Sequence, residues 1–192
     1  MSQNGKLVVI SGPSGAGKTS VCRALKQNPN VEFSVSATTR PKRDGEQDGI
    51  DYHFLGRDDF QRRLGENQFL EWATYNGNLY GTPRWPMDAA LARGKTFLVE
   101  IEVAGTRQLR ERGVEGLYMF IAPPNIEELR RRLVARGSNE AEEIEQRVRI
   151  AEDEIAAASS LVAGSPLYDV TVENSVLDDT IVRVQELLWP TA

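Results

Sequence analysis

The chain has 192 residues, of which 40% are hydrophobic and 27% are charged, and its formal net charge is −5. These values are typical of one good-sized globular domain and argue against a broad nucleic-acid-binding surface, although local arginine clusters could hold small anions. The single cysteine, Cys22, excludes an intrachain disulfide, and no apolar run reaches membrane-spanning length. Residues 1–6 are too polar and too few for a signal peptide, so we expect a cytoplasmic protein without a membrane span.

The first predicted element is a buried strand at residues 7–10, which leads directly into a glycine-rich turn and a helix. The turn fits the pattern G-x-x-x-x-G-K-[ST] through Gly12, Pro13, Ser14, Gly15, Ala16, Gly17, Lys18 and Thr19. In such a phosphate-binding loop the glycines let backbone N–H groups surround a phosphate, and the helix N-terminus adds a positive dipole. Lys18 should reach the terminal phosphates of a nucleotide, and the Thr19 hydroxyl should ligate Mg²⁺. An incidental glycine loop is the alternative.

The next part of the chain, residues 36–92, is predicted to be a small α+β insertion. An alternating strand at residues 31–35 precedes it, and a polar, basic connection follows at residues 36–46. Connections so rich in hydrogen-bond donors often carry function, although a solvated surface loop is the alternative. Short strands are expected near residues 52–55, 69–73 and 76–82, with one helix between them and another at residues 87–92.

A second buried strand is predicted at residues 96–102, and it ends in the carboxylates Glu100 and Glu102. Ligands of open α/β sheets gather at the carboxyl ends of the strands. Each acid is therefore a candidate contact to Mg²⁺ or substrate, the alternative being a solvated strand end.

Two arginine-rich helices follow a third apolar strand at residues 117–121. Asn125 is placed to cap the first helix, which should end at Gly137, and Asn139 is placed to cap the second. Solvated helix faces would explain the arginines of a lone helix. Beside a phosphate-binding loop, however, a mobile arginine lid can exclude water and neutralise transferring charge.

A last strand at residues 168–172 and a helix after Asp179 complete the pattern. Strands alternate with helices outside the insertion, which predicts a parallel α/β sheet with crossover helices on both faces. The fold expected is thus a P-loop NTPase-type core with an inserted α+β lobe and a helical lid.

Several motifs in this order resemble the guanylate kinase family over nearly the whole chain. The matching runs are SGPSGAGK at 11–18, FSVSATTRP at 33–41, RDGE at 43–46, GIDY at 49–52, FLEWA at 69–73, YGT at 80–82, RLVARG at 132–137, and Asn174. Two positions depart from the family pattern, since Glu102 stands where Asp is usual and Ala104 where Gln is usual.

The resemblance implies an enzyme that transfers the γ-phosphoryl group of Mg-ATP to GMP, giving ADP and GDP in purine nucleotide metabolism. It also implies three parts within one domain. A core at residues 1–35, 93–125 and 157–192 would hold ATP, a lobe at residues 36–92 would hold GMP, and a lid at residues 126–156 would close over the phosphates.

The resemblance further implies a role for each matching side chain. The GMP phosphate would be gripped by Arg40, Arg43, Tyr52 and Tyr80. Guanine would be read by Ser36, Glu71 and Thr82, and Glu46 and Glu102 would complete the GMP site. The transferring phosphoryl group would be neutralised by Arg132, Arg136 and Arg147, with Lys18 and Arg43 as further catalytic residues. Asn174 would lie near the adenine, and Thr19 and Glu100 would serve Mg²⁺.

Two other functions remain open at this stage. A kinase on the same scaffold could act on another acceptor, such as a sugar bisphosphate, but it should lack the guanine-reading set. A non-enzymatic binding module, like the guanylate-kinase-like domains of scaffold proteins, should have degraded loop and lid residues. Here Lys18, Thr19 and the lid arginines are intact.

Overall fold

A five-stranded parallel sheet forms the centre of the computed structural model, which describes residues 5–135 and 141–190. Strand β1 (Lys6–Ser11) lies in the middle, between β7 (Thr96–Glu100) and β8 (Leu117–Ala122). Strands β2 (Val31–Phe33) and β11 (Val170–Glu173) form the edges. Every one of these pairings is parallel, which confirms the predicted sheet.

Helices cover both faces of this sheet, as the sequence predicted. Helices α1 (Lys18–Leu25) and α7 (Leu177–Leu188) pack on one face. Helices α3 (Trp85–Ala92) and α4 (Val103–Glu111) pack on the other. Successive side chains of the central strand point to opposite faces and are buried on both, which explains why that strand is a continuous apolar run rather than an alternating one.

The inserted segment forms a second, four-stranded sheet. Its elements are β3 (Ala37–Thr38), β4 (His53–Phe54), helix α2 (Arg57–Gly65), β5 (Phe69–Tyr75) and β6 (Asn78–Pro83). The strand order is β4-β3-β6-β5, so β5 is an edge strand of this sheet. A small core of its own lies beneath the sheet, with Phe60 stacked on Phe69 at 4.3 Å between ring centroids.

The two arginine-rich helices are α5 (Ile126–Ala135) and α6 (Ala141–Ala158), and they pack against each other through a separate apolar cluster. The Asn125 side chain accepts a hydrogen bond from the Glu128 N–H at 2.8 Å, which confirms the predicted cap of α5. Arg136, Gly137 and Asn139 lie outside the described residues.

Two features were not predicted from the sequence, and the first is strand β3, which lies within the polar connection expected at residues 36–46. The second is a short hairpin of strands β9 (Leu161–Val162) and β10 (Ser165–Pro166), whose turn places Ala163 and Gly164 at positive φ. Within residues 5–135 and 141–190, no helix combines the length and apolar character that crossing a membrane requires.

Candidate active site

The glycine-rich turn wraps around the ammonium group of Lys18. The Lys18 Nζ donates hydrogen bonds to the carbonyl oxygens of Gly12 at 2.5 Å and Pro13 at 3.0 Å. Glycine is required at position 12, because a Cβ there would lie 2.1 Å from the Ile121 carbonyl oxygen and φ is +141°. The close approach of β8 therefore fixes where the turn starts and holds the lysine charge inside it.

Burial and the neighbouring carboxylates have opposite effects on the pKa of Lys18. Desolvation lowers the pKa of Lys18, while the negative charges of Glu100, Glu154 and Glu102 raise it. The three carboxylates thus favour the charged ammonium form, which is the form that attracts phosphate oxygens.

Thr19 and Glu100 come together at the end of the neighbouring strands. The Thr19 hydroxyl donates a hydrogen bond of 2.7 Å to Glu100 Oε1. A hydroxyl and a carboxylate are hard oxygen ligands of the kind that Mg²⁺ accepts beside nucleotide phosphates. The pair predicted as metal ligands therefore has chemistry that fits this ion.

A cleft of about 670 Å³ opens in front of the loop. The loop forms one wall, Ser34, Ser36 and Glu102 line another, and helix α6 closes the side. The predicted lid residue Arg147 is among the α6 residues that line it.

Glu154 and Tyr75 are two of the residues lining this cleft that the sequence analysis did not assign to the site. Glu154 lies on α6 at seven residues from Arg147, on the same helical face, and its carboxylate faces the charge of Lys18. Burial raises the pKa of Glu154, and Lys18 opposes that shift. The spacing of residues 147, 150 and 154 places them on one helical face, so the sequence itself held a signal for Glu154. Tyr75, the other of these two residues, is 74% exposed.

A second cleft, of about 480 Å³, lies beside the first. The two clefts share four lining residues, which are Ser36, Tyr75, Ile101 and Glu102. The remaining lining residues of the second cleft include three of the predicted set, Tyr52, Glu71 and Tyr80. Adjoining clefts of this kind can hold two ligands side by side.

Glu71 is a partly buried carboxylate that lines the second cleft. Its Oε1 accepts a hydrogen bond of 2.6 Å from the Thr82 hydroxyl, and its Oε2 faces the backbone of Gly105, where an added Cβ would lie 3.2 Å away. Burial raises the pKa of Glu71, the Thr82 hydrogen bonds lower it, and the charge of Glu102 raises it further. Such a carboxylate can accept two neighbouring donors from a flat ligand.

Arg40, Arg43, Glu46, Tyr52 and Tyr80 form a cluster in the lobe, here called the cationic corner. The Arg40 guanidinium contacts Glu46 at 2.7 Å, and the other Glu46 oxygen accepts the Arg43 N–H at 2.8 Å. The Arg40 guanidinium carbon lies 5.5 Å from the Tyr52 ring centroid, and that ring lies 6.1 Å from the ring of Tyr80. The structure therefore brings four of the predicted residues together, while Arg43 is exposed and contributes its backbone N–H.

Asn174 lies beneath the phosphate-binding loop. It is 3% exposed, its Nδ2 donates to the Ala16 carbonyl oxygen at 2.7 Å, and its Oδ1 accepts from the Thr180 hydroxyl at 3.0 Å. The Asn174 carbonyl oxygen accepts a hydrogen bond of 2.9 Å from the Arg132 guanidinium. The amide therefore supports the loop from below, and Arg132 is joined to that support.

Comparison with known proteins places this geometry in a family. The family model described as guanylate kinase matches residues 4–191. A guanylate kinase of Carboxydothermus hydrogenoformans is 43% identical over 96% of this chain and 87% of its own length, and one of Thermosynechococcus vestitus is 41% identical over 99% and 96%. The crystal structure of guanylate kinase from Anaplasma phagocytophilum aligns with a TM-score of 0.69 at 30% identity, covering 97% of this chain and 85% of that one.

Proposed function

The chain belongs to the guanylate kinase family, and from that membership we propose how its two clefts divide the reaction ATP + GMP ⇌ ADP + GDP. The first cleft takes ATP at the phosphate-binding loop. The second takes GMP, with the base at Glu71 and the phosphate toward the shared boundary. The observation that carries this assignment is the partly buried Glu71 carboxylate of the second cleft, which adjoins the cleft of the loop that holds Lys18.

Guanine recognition follows from the donor pattern of the base. Guanine presents its N1–H and its exocyclic amine as neighbouring donors, and the ionised Glu71 accepts both. Adenine offers an acceptor at N1, so the same pose places two acceptors against each other. Ser36, Thr82 and Glu102 complete the base site, since they line the cleft or hydrogen-bond to Glu71.

The cationic corner grips the GMP phosphate. Arg40 supplies a planar fork that matches phosphate oxygens, and Arg43 adds charge at the exposed edge. Tyr52 and Tyr80 supply hydroxyl donors without adding charge. Glu46 holds the Arg40 guanidinium in place, which keeps the fork aimed before the substrate binds.

Catalysis consists of positioning and charge stabilisation. The GMP phosphate is already anionic at neutral pH, so the attacking oxygen needs no general base. Lys18 and the lid arginines Arg132, Arg136 and Arg147 neutralise the charge on the transferring phosphoryl group. Asn174 serves the ATP site by supporting the loop beneath Ala16.

The three parts expected from the sequence have different tasks in this reaction. The core holds ATP, the lobe at residues 36–92 brings GMP, and the lid at residues 126–156 closes over both. Closure excludes water that could otherwise hydrolyse ATP. The separate apolar clusters beneath the lobe sheet and between the lid helices support this division.

Mg²⁺ is the proposed cofactor. The Thr19 hydroxyl and the Glu100 carboxylate, 2.7 Å apart, would hold it directly or through water, in keeping with the small number of protein ligands that this ion accepts beside phosphates. Bound there, the ion supplies charge neutralisation for the β- and γ-phosphate oxygens.

We also propose that the enzyme acts in the cytoplasm, in purine nucleotide interconversion. Its substrates are intracellular nucleotides, and a chain with one cysteine suits a reducing compartment.

Lowering the pH should weaken GMP binding, because it protonates Glu71. Because burial raises the pKa of this carboxyl, its protonated fraction grows at a higher pH than it would for a surface glutamate. Protonation removes an acceptor for the exocyclic amine of guanine. The ratio of KM for IMP, which lacks that amine, to KM for GMP should therefore fall as pH is lowered from about 8 to about 5.

The ratio cancels the titration of the nucleotide phosphate, which both substrates share. Glu71→Gln is the matched control, because its ratio should stay flat with pH. A wild-type ratio that does not change over the same range would contradict the assignment of Glu71 to the base.

The reaction is tested by product identification with γ-labelled ATP. We expect label to appear in GDP when GMP and Mg²⁺ are present, and transfer to fall by at least about 100-fold when the metal is chelated. Label in water or in another acceptor would identify a different kinase or an ATPase. Tight GMP binding without transfer would identify a binding module.

A further inference from the structure

Strand β5, which carries Glu71, is an edge strand of the lobe sheet, yet its outer edge is covered. The side chain of Gln108, from the core helix α4, meets the backbone of Trp72 there. Gln108 Oε1 accepts the Trp72 N–H at 3.2 Å, and Gln108 Nε2 donates to the Trp72 carbonyl oxygen at 2.9 Å. A primary amide that exchanges both bonds with one residue reproduces the pairing of a neighbouring antiparallel strand.

A second side chain of the same helix region extends this contact. Arg112 Nη1 donates hydrogen bonds of 3.1 Å to the carbonyl oxygens of both Phe69 and Leu70. The backbone is therefore held on both sides of Glu71, by Arg112 before it and by Gln108 after it. The positive charge of Arg112 also lowers the pKa of Glu71, against the effect of burial.

Packing agrees with the hydrogen bonds. Leu70 is fully buried in the main core with Phe97, Val99 and Leu109, whereas Phe69 is buried in the small core of the lobe. The start of β5 is thus shared between the two cores, and the residue that follows Leu70 is Glu71. These contacts tie the carboxylate to the core helix and not merely to the lobe sheet.

We propose that Gln108 is a positioning residue for guanine discrimination, holding the β5 backbone so that the Glu71 carboxylate stays fixed to the core. Gln108 acts through Trp72 and Glu71, since its amide oxygen and nitrogen are both engaged with the strand. The inference rests on the proposed role of Glu71. It assigns base selectivity to a core helix, while the phosphate-gripping residues remain with the lobe.

Gln108→Met tests the proposal, because methionine keeps the length and apolar stem of the side chain and removes both hydrogen bonds. We expect KM for GMP to rise by about tenfold, with KM for ATP changed by less than about twofold, because a displaced carboxylate loses its alignment with the base. The preference for GMP over IMP should fall by a similar factor. Gln185→Met, on an exposed position of α7, is the matched control and should leave all three quantities unchanged.

The double variant with Glu71→Gln separates positioning from general loss of structure. If Gln108 acts through Glu71, Gln108→Met should add nothing to the KM for GMP in the Glu71→Gln background. An equal further rise in that background would overturn the proposal, as would an unchanged GMP preference in the single variant. Failure of Glu71→Gln alone to raise KM for GMP would instead overturn the guanine role of Glu71, so the two failures are distinguishable.

Discussion

Lys18→Ala should lower kcat by about 10³-fold, because it removes the positive charge that the phosphate-binding loop encloses. The Lys18 ammonium lies within hydrogen-bond distance of the Gly12 and Pro13 carbonyl oxygens, where the phosphates of ATP must enter. Transition-state charge on the transferring phosphoryl group is stabilised there in a partly dry site. The GMP cleft is lined by other residues, so KM for GMP should change by less than about threefold.

Arg23→Ala provides the matched control for this variant. Arg23 lies on the same helix α1, is exposed, and carries the same charge outside the cleft. Steady-state kinetics and thermal melting of both variants separate a catalytic loss from a folding loss. Turnover of Lys18→Ala within about twofold of the parent would contradict the role of the loop.

Glu71→Ala should raise KM for GMP by about 100-fold while KM for ATP stays within about twofold. The substitution removes the acceptor for two guanine donors, which are then left unpaired in a buried cleft. The effect is confined to one substrate because Glu71 lines the second cleft, and the ATP loop belongs to the first.

Glu71→Gln refines this result, because it keeps the shape and the acceptor for Thr82 but removes the negative charge. It should lose nearly as much GMP affinity as the alanine variant. Glu111→Gln, exposed at the end of α4, is the matched control. Equal rises in KM for GMP and ATP would contradict the assignment of Glu71 to the base.

Local chemistry made the central part of the fold predictable. An apolar run, a glycine turn and a helix at residues 7–25 follow from neighbouring residues alone. The parallel sheet was predictable as well, because its three inner strands β1, β7 and β8 are continuous apolar runs buried on both faces. The Asn125 cap was predictable for the same reason, since its partner lies three residues away.

Long-range contacts were not predictable in the same way. The support of Ala16 by Asn174 joins residues that are 158 positions apart, and the contact of Gln108 with Trp72 spans 36 positions. Neither leaves a periodic signal, because each depends on how a helix meets a distant backbone segment. Glu154 differs from these, since its helical spacing from Arg147 is local and can be read from the sequence.

The most direct test is ADP formation from Mg-ATP by the purified protein, measured in parallel with GMP, dGMP, AMP, UMP and no acceptor. We predict strong turnover that depends on GMP, with AMP at least about 100-fold less effective because Glu71 cannot pair with adenine. Turnover that is equal with AMP, or that does not require an acceptor, would contradict a guanine-specific phosphoryl transfer at the two clefts.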